Sequence, residues 1–208
     1  MFEDSVFILI DVQKGFTEKE GSFGKAYGSK DLLQIQNSLP NIKNCLEFCQ
    51  EKQIPTIIIR SEYKKNQFKT KGLEDLCVPN ENEDCDFTPG IFENLKNPFV
   101  ITKYENSAMT KEDFVLEIDS LVQKKNITKF LVGGFSTNTC VRKTCLDLKE
   151  KYKKKIEIFI AKDITASRSN SIEKDKIEDR FDSEKFLKAH NELIKKEIHF
   201  LKSFVDFF

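Results

Sequence analysis

The sequence predicts an α/β fold, a three-layer sandwich in which a mainly parallel sheet carries helices on both faces. Three observations predict it. Short apolar runs alternate with amphipathic segments along the chain. The runs lack a polar face, as strands buried on both sides of a parallel sheet do. Most end in a polar or charged residue, so reactive side chains gather at the carboxyl ends of the strands, where the sites of such sheets lie. The 208 residues fit a single domain, 1–208, with an ample core.

Residues 6–10 are unbroken apolar and lead into Asp11, which makes them the first strand. Over 31–52, Leu32, Leu33, Ile35, Leu39, Ile42, Leu46 and Cys49 recur at mostly helical spacing. Pro40 lacks the N–H that a helix interior uses, so the main helix is predicted from about residue 40, with the proline marking a start or a kink. Residues 55–60 and 98–103 read as the second and third strands, ending in Arg60 and Lys103. Residues 111–125 place Phe114, Val115, Ile118, Leu121 and Val122 on one helical face, with Thr110 as the candidate N-cap. Residues 130–134 form the fourth strand, 139–153 a helix, and 156–161 the fifth strand. The charge-rich stretch 168–182 reads as a solvated loop, 183–202 as an amphipathic helix, and 203–208 as a short last strand.

Composition narrows the function. Lys plus Arg equals Asp plus Glu, 34 each, so no net field calls for nucleic acid or an anionic membrane surface. The basic run 151–155 is expected to complement a helix C-terminus. No apolar run reaches the ~18 residues of a membrane span, and no secretory leader pattern opens the chain. A cytoplasmic location is expected, with the six cysteines reduced. None of them forms Cys-x-x-Cys, and residues 21–26 lack the spacing of a phosphate loop.

Residues 129–141 carry the most chemistry. A buried strand runs through Gly133 and Gly134 into Cys140, which opens the next helix. A helix N-terminus lowers a thiol pKa, and its free N–H groups could hold an oxyanion. Cys140 could equally be a small buried hydrophobe, Asp11 a turn residue and Lys103 a solvated strand end. Their joint placement on one rim favours chemistry: a thiol nucleophile, a carboxylate base and a cation that stabilises thiolate. Cys145, five residues after Cys140, reads as packing.

At these residues the chain resembles the isochorismatase-like cysteine hydrolases. Asp11-Val12-Gln13-Lys14-Gly15-Phe16 is similar to the family's Asp-x-Gln-x-x-Phe opening, and Lys103 with Ser107-Ala108 to its lysine segment. Gly134-Phe135-Ser136-Thr137-Asn138-Thr139-Cys140-Val141 matches Gly-x-x-Thr-x-x-Cys-Val, and Ala161-Lys162-Asp163-Ile164 resembles the segment after the fifth strand. The motifs stand in order over 6–167. The resemblance implies a six-stranded sheet of order 3-2-1-4-5-6 and a triad of Asp11, Lys103 and Cys140. It also implies a cis peptide at Phe135–Ser136 and oxyanion donors at the Ser136 and Cys140 amides.

Nicotinamidases of this family bind a divalent metal through an Asp-x-His pair after the second strand. Here that stretch reads Arg60-Ser61-Glu62-Tyr63-Lys64, and the only histidines are His190 and His199, expected on opposite sides of one helix. No metal and no cofactor are therefore expected. Phe16, Arg60, Tyr104 and Phe135 are candidate pocket residues, and Asn138 stands where many relatives have Asp. The expected function is metal-independent hydrolysis of an amide, ureide or related C–N bond of a small molecule through a thioester. The alternatives are a non-catalytic scaffold, a thiol redox sensor, or, within the family, nicotinamidase or isochorismatase activity. A homo-oligomer is expected, as relatives generally form one. The loops 18–30, 62–87 and 168–182 hold the choice of substrate.

Overall fold

The computed structural model describes residues 3–168 and 184–208. Six strands form one sheet: β1 (Ser5–Ile10), β2 (Thr56–Ser61), β3 (Phe99–Lys103), β4 (Lys129–Phe135), β5 (Glu157–Ala166) and β6 (Ile198–Leu201). The order is β3-β2-β1-β4-β5-β6 and every pairing is parallel. The pleat of β1 divides the core. Phe7 and Leu9 pack against α3 (Leu33–Glu51) through Ile35, Ile42, Cys45 and Leu46. Val6, Ile8 and Ile10 face the opposite layer, with Phe114 and Ile118 of α4 (Glu112–Lys124), Cys145 and Leu148 of α5 (Arg142–Tyr152), and Leu193 of α6 (Glu184–Lys195). Both faces of the central strand are thus buried, as its unbroken apolar run requires.

A third cluster lies over the carboxyl ends of the strands. Phe16, Tyr63, Leu73, Leu76 and Cys77 are buried there, with Phe23, Phe68 and Cys85 packed against them. It is built from the short helices α1 (Lys14–Thr17) and α2 (Ser22–Tyr27) and from the 62–87 segment. Gln13 fastens this cap to the sheet: its amide donates to Ser61 O at 2.9 Å and Cys85 O at 3.0 Å, and accepts from Ser61 N at 2.6 Å.

Six expectations are corrected. The main helix begins at Leu33 and runs through Pro40. A proline inside a helix costs about 3 kcal/mol, and burying Leu32 and Ile35 completely offsets it at about 1.5–3 kcal/mol each. The helix after residue 111 is not capped by Thr110, whose hydroxyl donates to Ser107 O at 2.9 Å; Glu112 and Asp113 place negative charge in its first turn instead. The fifth strand does not end at residue 161. Val132 pairs with Ile160 but Gly134 with Thr165, so residue 133 alone faces 161–164, and this bulge hides the strand's second half from a periodicity reading.

The predicted helix 183–202 stops at Lys195; Glu197 takes a φ of 57° and the chain reverses into β6, a break that no glycine marks. His190 and His199 therefore do not share a helix: His190 packs on Phe200 and His199 on Phe159 of β5. Finally, residues 203–208 are not a strand. Ser203 and Asp206 form a capping box on a 3₁₀ turn at Phe204–Phe207, and the Asp163 carboxylate accepts from Ser203 Oγ and Phe204 N. The expected loop 168–182 lies, from 169 on, outside the described residues.

Candidate active site

Four neighbouring strand ends build the site. Asp11 directly follows β1 with a φ of 56°, a left-handed conformation that Asp tolerates better than most residues, and its N–H donates to Ile59 O at 2.9 Å. Ser61 ends β2 and Lys103 ends β3. Cys140 lies in a π-helical turn, Thr137–Val141, between β4 and α5, so the expected helix after the fourth strand opens as this turn.

The approach of β4 to β1 depends on glycine. Gly134 has a φ of 99°, and a Cβ there would meet Ile10 O at 2.0 Å. The next peptide, Phe135–Ser136, is cis. The bulged end of β5 then anchors the turn. Thr165 Oγ1 donates to Gly134 O at 2.8 Å and meets Thr137 Oγ1 at 2.9 Å, while Ser167 Oγ donates to Asn138 Oδ1 at 2.8 Å and accepts from Asn138 N at 3.2 Å. Ser136 O accepts from both Thr139 N and Val141 N, which fixes the turn's entry.

Asp11, Lys103 and Cys140 meet beneath the cap, with exposures of 0%, 0% and 3%. Lys103 Nζ lies 2.8 Å from Asp11 Oδ2 and 3.5 Å from Cys140 Sγ, and donates to Ser61 Oγ at 2.6 Å, Tyr63 OH at 3.1 Å and Glu105 O at 3.1 Å. Ser61 Oγ lies 2.8 Å from both Asp11 Oδ1 and Tyr63 OH. Tyr63 OH and Asn106 Oδ1 each lie 3.8 Å from the sulfur.

The charges follow from this packing. Burial pushes the Lys103 pKa down, but the Asp11 carboxylate and the Cys140 sulfur more than offset it, leaving the ammonium above its ordinary value. For Cys140 burial dominates: it raises the thiol, the Lys103 ammonium pulls it down, Asp11 pushes it up again, and the result is about 11. The helix N-terminus was expected to lower this pKa. Burial is the largest cause in the closed site, and Cys140 rests as a thiol beside the Lys103 ammonium and the Asp11 side chain.

Of the other expected pocket residues, Phe16 stands in the cap with Tyr63. Arg60 does not face the thiol; it pairs with Glu62 at the flank of the strand end. Phe135 is fully buried in the core layer against α3, opposite the layer that holds Cys140. Tyr104 is half exposed, with Lys111 Nζ 4.9 Å from its ring. Sequence reasoning missed Ser61, Tyr63 and Asn106 at the thiol, and Thr165 and Ser167 beneath its turn. Strand alternation carried the signal for the first two: if Arg60 and Glu62 point one way at the end of β2, Ser61 and Tyr63 point the other.

A divalent metal does not fit these residues. Ser61 and Tyr63 offer neutral hydroxyls already bonded to Asp11, Lys103 and each other, and among the described residues no three His, Cys, Asp or Glu groups come together as ligands. Among the described residues no helix is long and apolar enough to cross a membrane.

The family model for the isochorismatase domain matches residues 5–187. A probable inactive nicotinamidase of Arabidopsis thaliana is 21% identical over 156 residues, 70% of this chain and 73% of its own. The pyrazinamidase of Pyrococcus horikoshii in complex with zinc superimposes with a TM-score of 0.69 at 17% identity, covering 95% of this chain and 98% of its own. The nicotinamidase of Bacillus subtilis does so with a TM-score of 0.66 at 18% identity, covering 96% and 99%.

Proposed function

Since the chain belongs to the isochorismatase family, we propose that it is a metal-independent cysteine hydrolase cleaving an amide, ureide or related C–N bond of a small molecule. The observation that carries this reading is the buried contact of Asp11, Lys103 and Cys140. Burying an ion pair rarely stabilises a fold relative to apolar residues of the same volume. Placing a thiol against such a pair has a chemical use.

In this mechanism Asp11 accepts the Cys140 proton as the sulfur attacks the substrate carbonyl carbon. A thiol resting at a pKa of about 11 needs such a base, and Lys103 beside it stabilises the thiolate as it forms. The Ser136 and Cys140 amides hold the tetrahedral oxyanion, where losing one donor typically costs about 3–4 kcal/mol. The intermediate collapses to a thioester as Asp11 protonates the leaving amine. Asp11 then takes a proton from water, which attacks the thioester and releases the acid and the free thiol.

One observation favours a non-catalytic scaffold: the Arabidopsis relative carries the name of a probable inactive nicotinamidase. An ammonia-release screen over amides, ureides and carbamoyl compounds separates the two. A true substrate is hydrolysed by the native chain, and Cys140→Ala lowers its turnover by about 10³-fold or more. Equal turnover by the variant sinks the thioester scheme, and no turnover across the screen favours the scaffold.

A further inference from the structure

We propose that Cys77 and Cys85, in the cap over the site, form a peroxide-reactive dithiol that closes to a reversible disulfide. The two residues pack in the same cluster, Cys77 fully buried and Cys85 partly open to solvent. The Cys77 thiol lies 3.3 Å from Asp84 O, beside Cys85 in the chain, and the Cys85 carbonyl is held by the Gln13 amide at 3.0 Å. Arg60, on β2, pairs with Glu62, and its Nε is buried without a hydrogen bond among the described residues.

This setting divides the roles. The neighbouring Cys77 thiol lowers the Cys85 thiol below its ordinary value, burial and Glu62 oppose it, and the Arg60 guanidinium lowers it further. Burial, together with Cys85, raises Cys77 well above the ordinary thiol value. Cys85 is therefore the more acidic and more accessible thiol, the one that reacts first with peroxide. Its sulfur displaces one oxygen of hydrogen peroxide, giving a sulfenic acid and water. Cys77 then attacks that sulfur and releases a second water. Two thiols and one peroxide become one disulfide and two waters, and a reducing dithiol reverses it. Because Tyr63 N donates to Cys77 O at 2.8 Å and Gln13 links Cys85 O to Ser61, the bridge would pull on the backbone that holds both hydroxyls of the site.

The chain contains its own control. Cys45 and Cys49 stand one helical turn apart on α3 and also interact, but both are fully buried and Cys45 is raised well above the ordinary thiol value. The test exposes the reduced full-length chain to about a tenfold excess of hydrogen peroxide and follows each cysteine by alkylation and peptide mass. The peptide holding Cys77 and Cys85 is expected to lose two hydrogens at least about tenfold faster than the peptide holding Cys45 and Cys49 is modified. Reductant restores it. Cys77→Ser leaves Cys85 as a sulfenic acid trapped by dimedone, and Cys85→Ser leaves Cys77 reduced. Full alkylation of both thiols after peroxide, or oxidation no faster than at Cys45 and Cys49, overturns the proposal. The readout needs no substrate, so it stands or falls independently of the hydrolase reading.

Discussion

Tyr63 is the residue whose importance changed most between sequence and structure. Its hydroxyl touches Ser61 and Lys103 and lies 3.8 Å from the sulfur, so it can donate to a thiolate without carrying charge itself. Burial raises its own pKa well above the ordinary phenol value, which keeps that proton in place. In the hydrolase reading, Tyr63→Phe removes hydrogen bonds to charged partners worth about 1.5–3 kcal/mol. The expected loss in kcat/KM is about tenfold to a hundredfold, with the melting curve retained. A variant within about twofold of the native rate would show that the hydroxyl plays no part. Asp11 and Lys103 were legible because each ends an apolar run, and Cys140 because a glycine-led turn follows the fourth strand, so residue type and position together are visible in one dimension. Tyr63 lies two residues beyond β2, where only side-chain alternation points to it, and Asn106 sits in a loop that three-dimensional closure brings to the sulfur.

At the scale of elements, legibility followed signal strength. The first five strands were accessible because apolar runs mark them, and the sheet order because the resemblance carries it, whereas β6 lay inside an expected helix and boundaries failed where tertiary packing overrode local rules. Pro40 is the clearest case: the first turns of α3 persist because Leu32 and Ile35 are buried on the same side as Ile42. Pro40→Ala restores one backbone hydrogen bond and relieves the ring's clash with the preceding turn. It should stabilise the chain by about 1–2 kcal/mol once the unfolded chain's gain in freedom is subtracted. Urea denaturation measures this, and an unchanged or lower midpoint would mean that the helix is already relaxed around the ring. The turn that holds Cys140 was misread for a related reason. Its anchors, Thr165 and Ser167, lie beyond a bulge that breaks the period of β5.

Across the whole molecule, buried titratable groups set the response to alkali. Cys45, Cys77, Cys140, Cys145 and Tyr63 all have pKa values raised first by burial. In the unfolded chain thiols titrate near about 8.5, whereas folded Cys140 holds its proton to about 11. Between those values the folded state binds more protons, so its stability is complete below about pH 8.5 and falls as pH rises, by at most about 1.4 kcal/mol per unit for each thiol. Lys103, also raised, acts in the same direction. Chemical denaturation from pH 8 to about 10.5 should show a steady fall, and a flat profile would mean that these thiols are hydrated. The sheet order has a different consequence, for the chain as it is made. Asp11, Ser61, Lys103 and Cys140 are joined by contacts spanning 50, 42 and 37 residues, so no short segment carries a working fragment of the site. A chain leaving the ribosome holds an ordinary, unassisted cysteine until its fourth strand docks beside the first, and loop closure on that scale is slow. Synthesis thus delivers the thiol after Asp11, Ser61 and Lys103, and the four meet only when the scaffold around them exists.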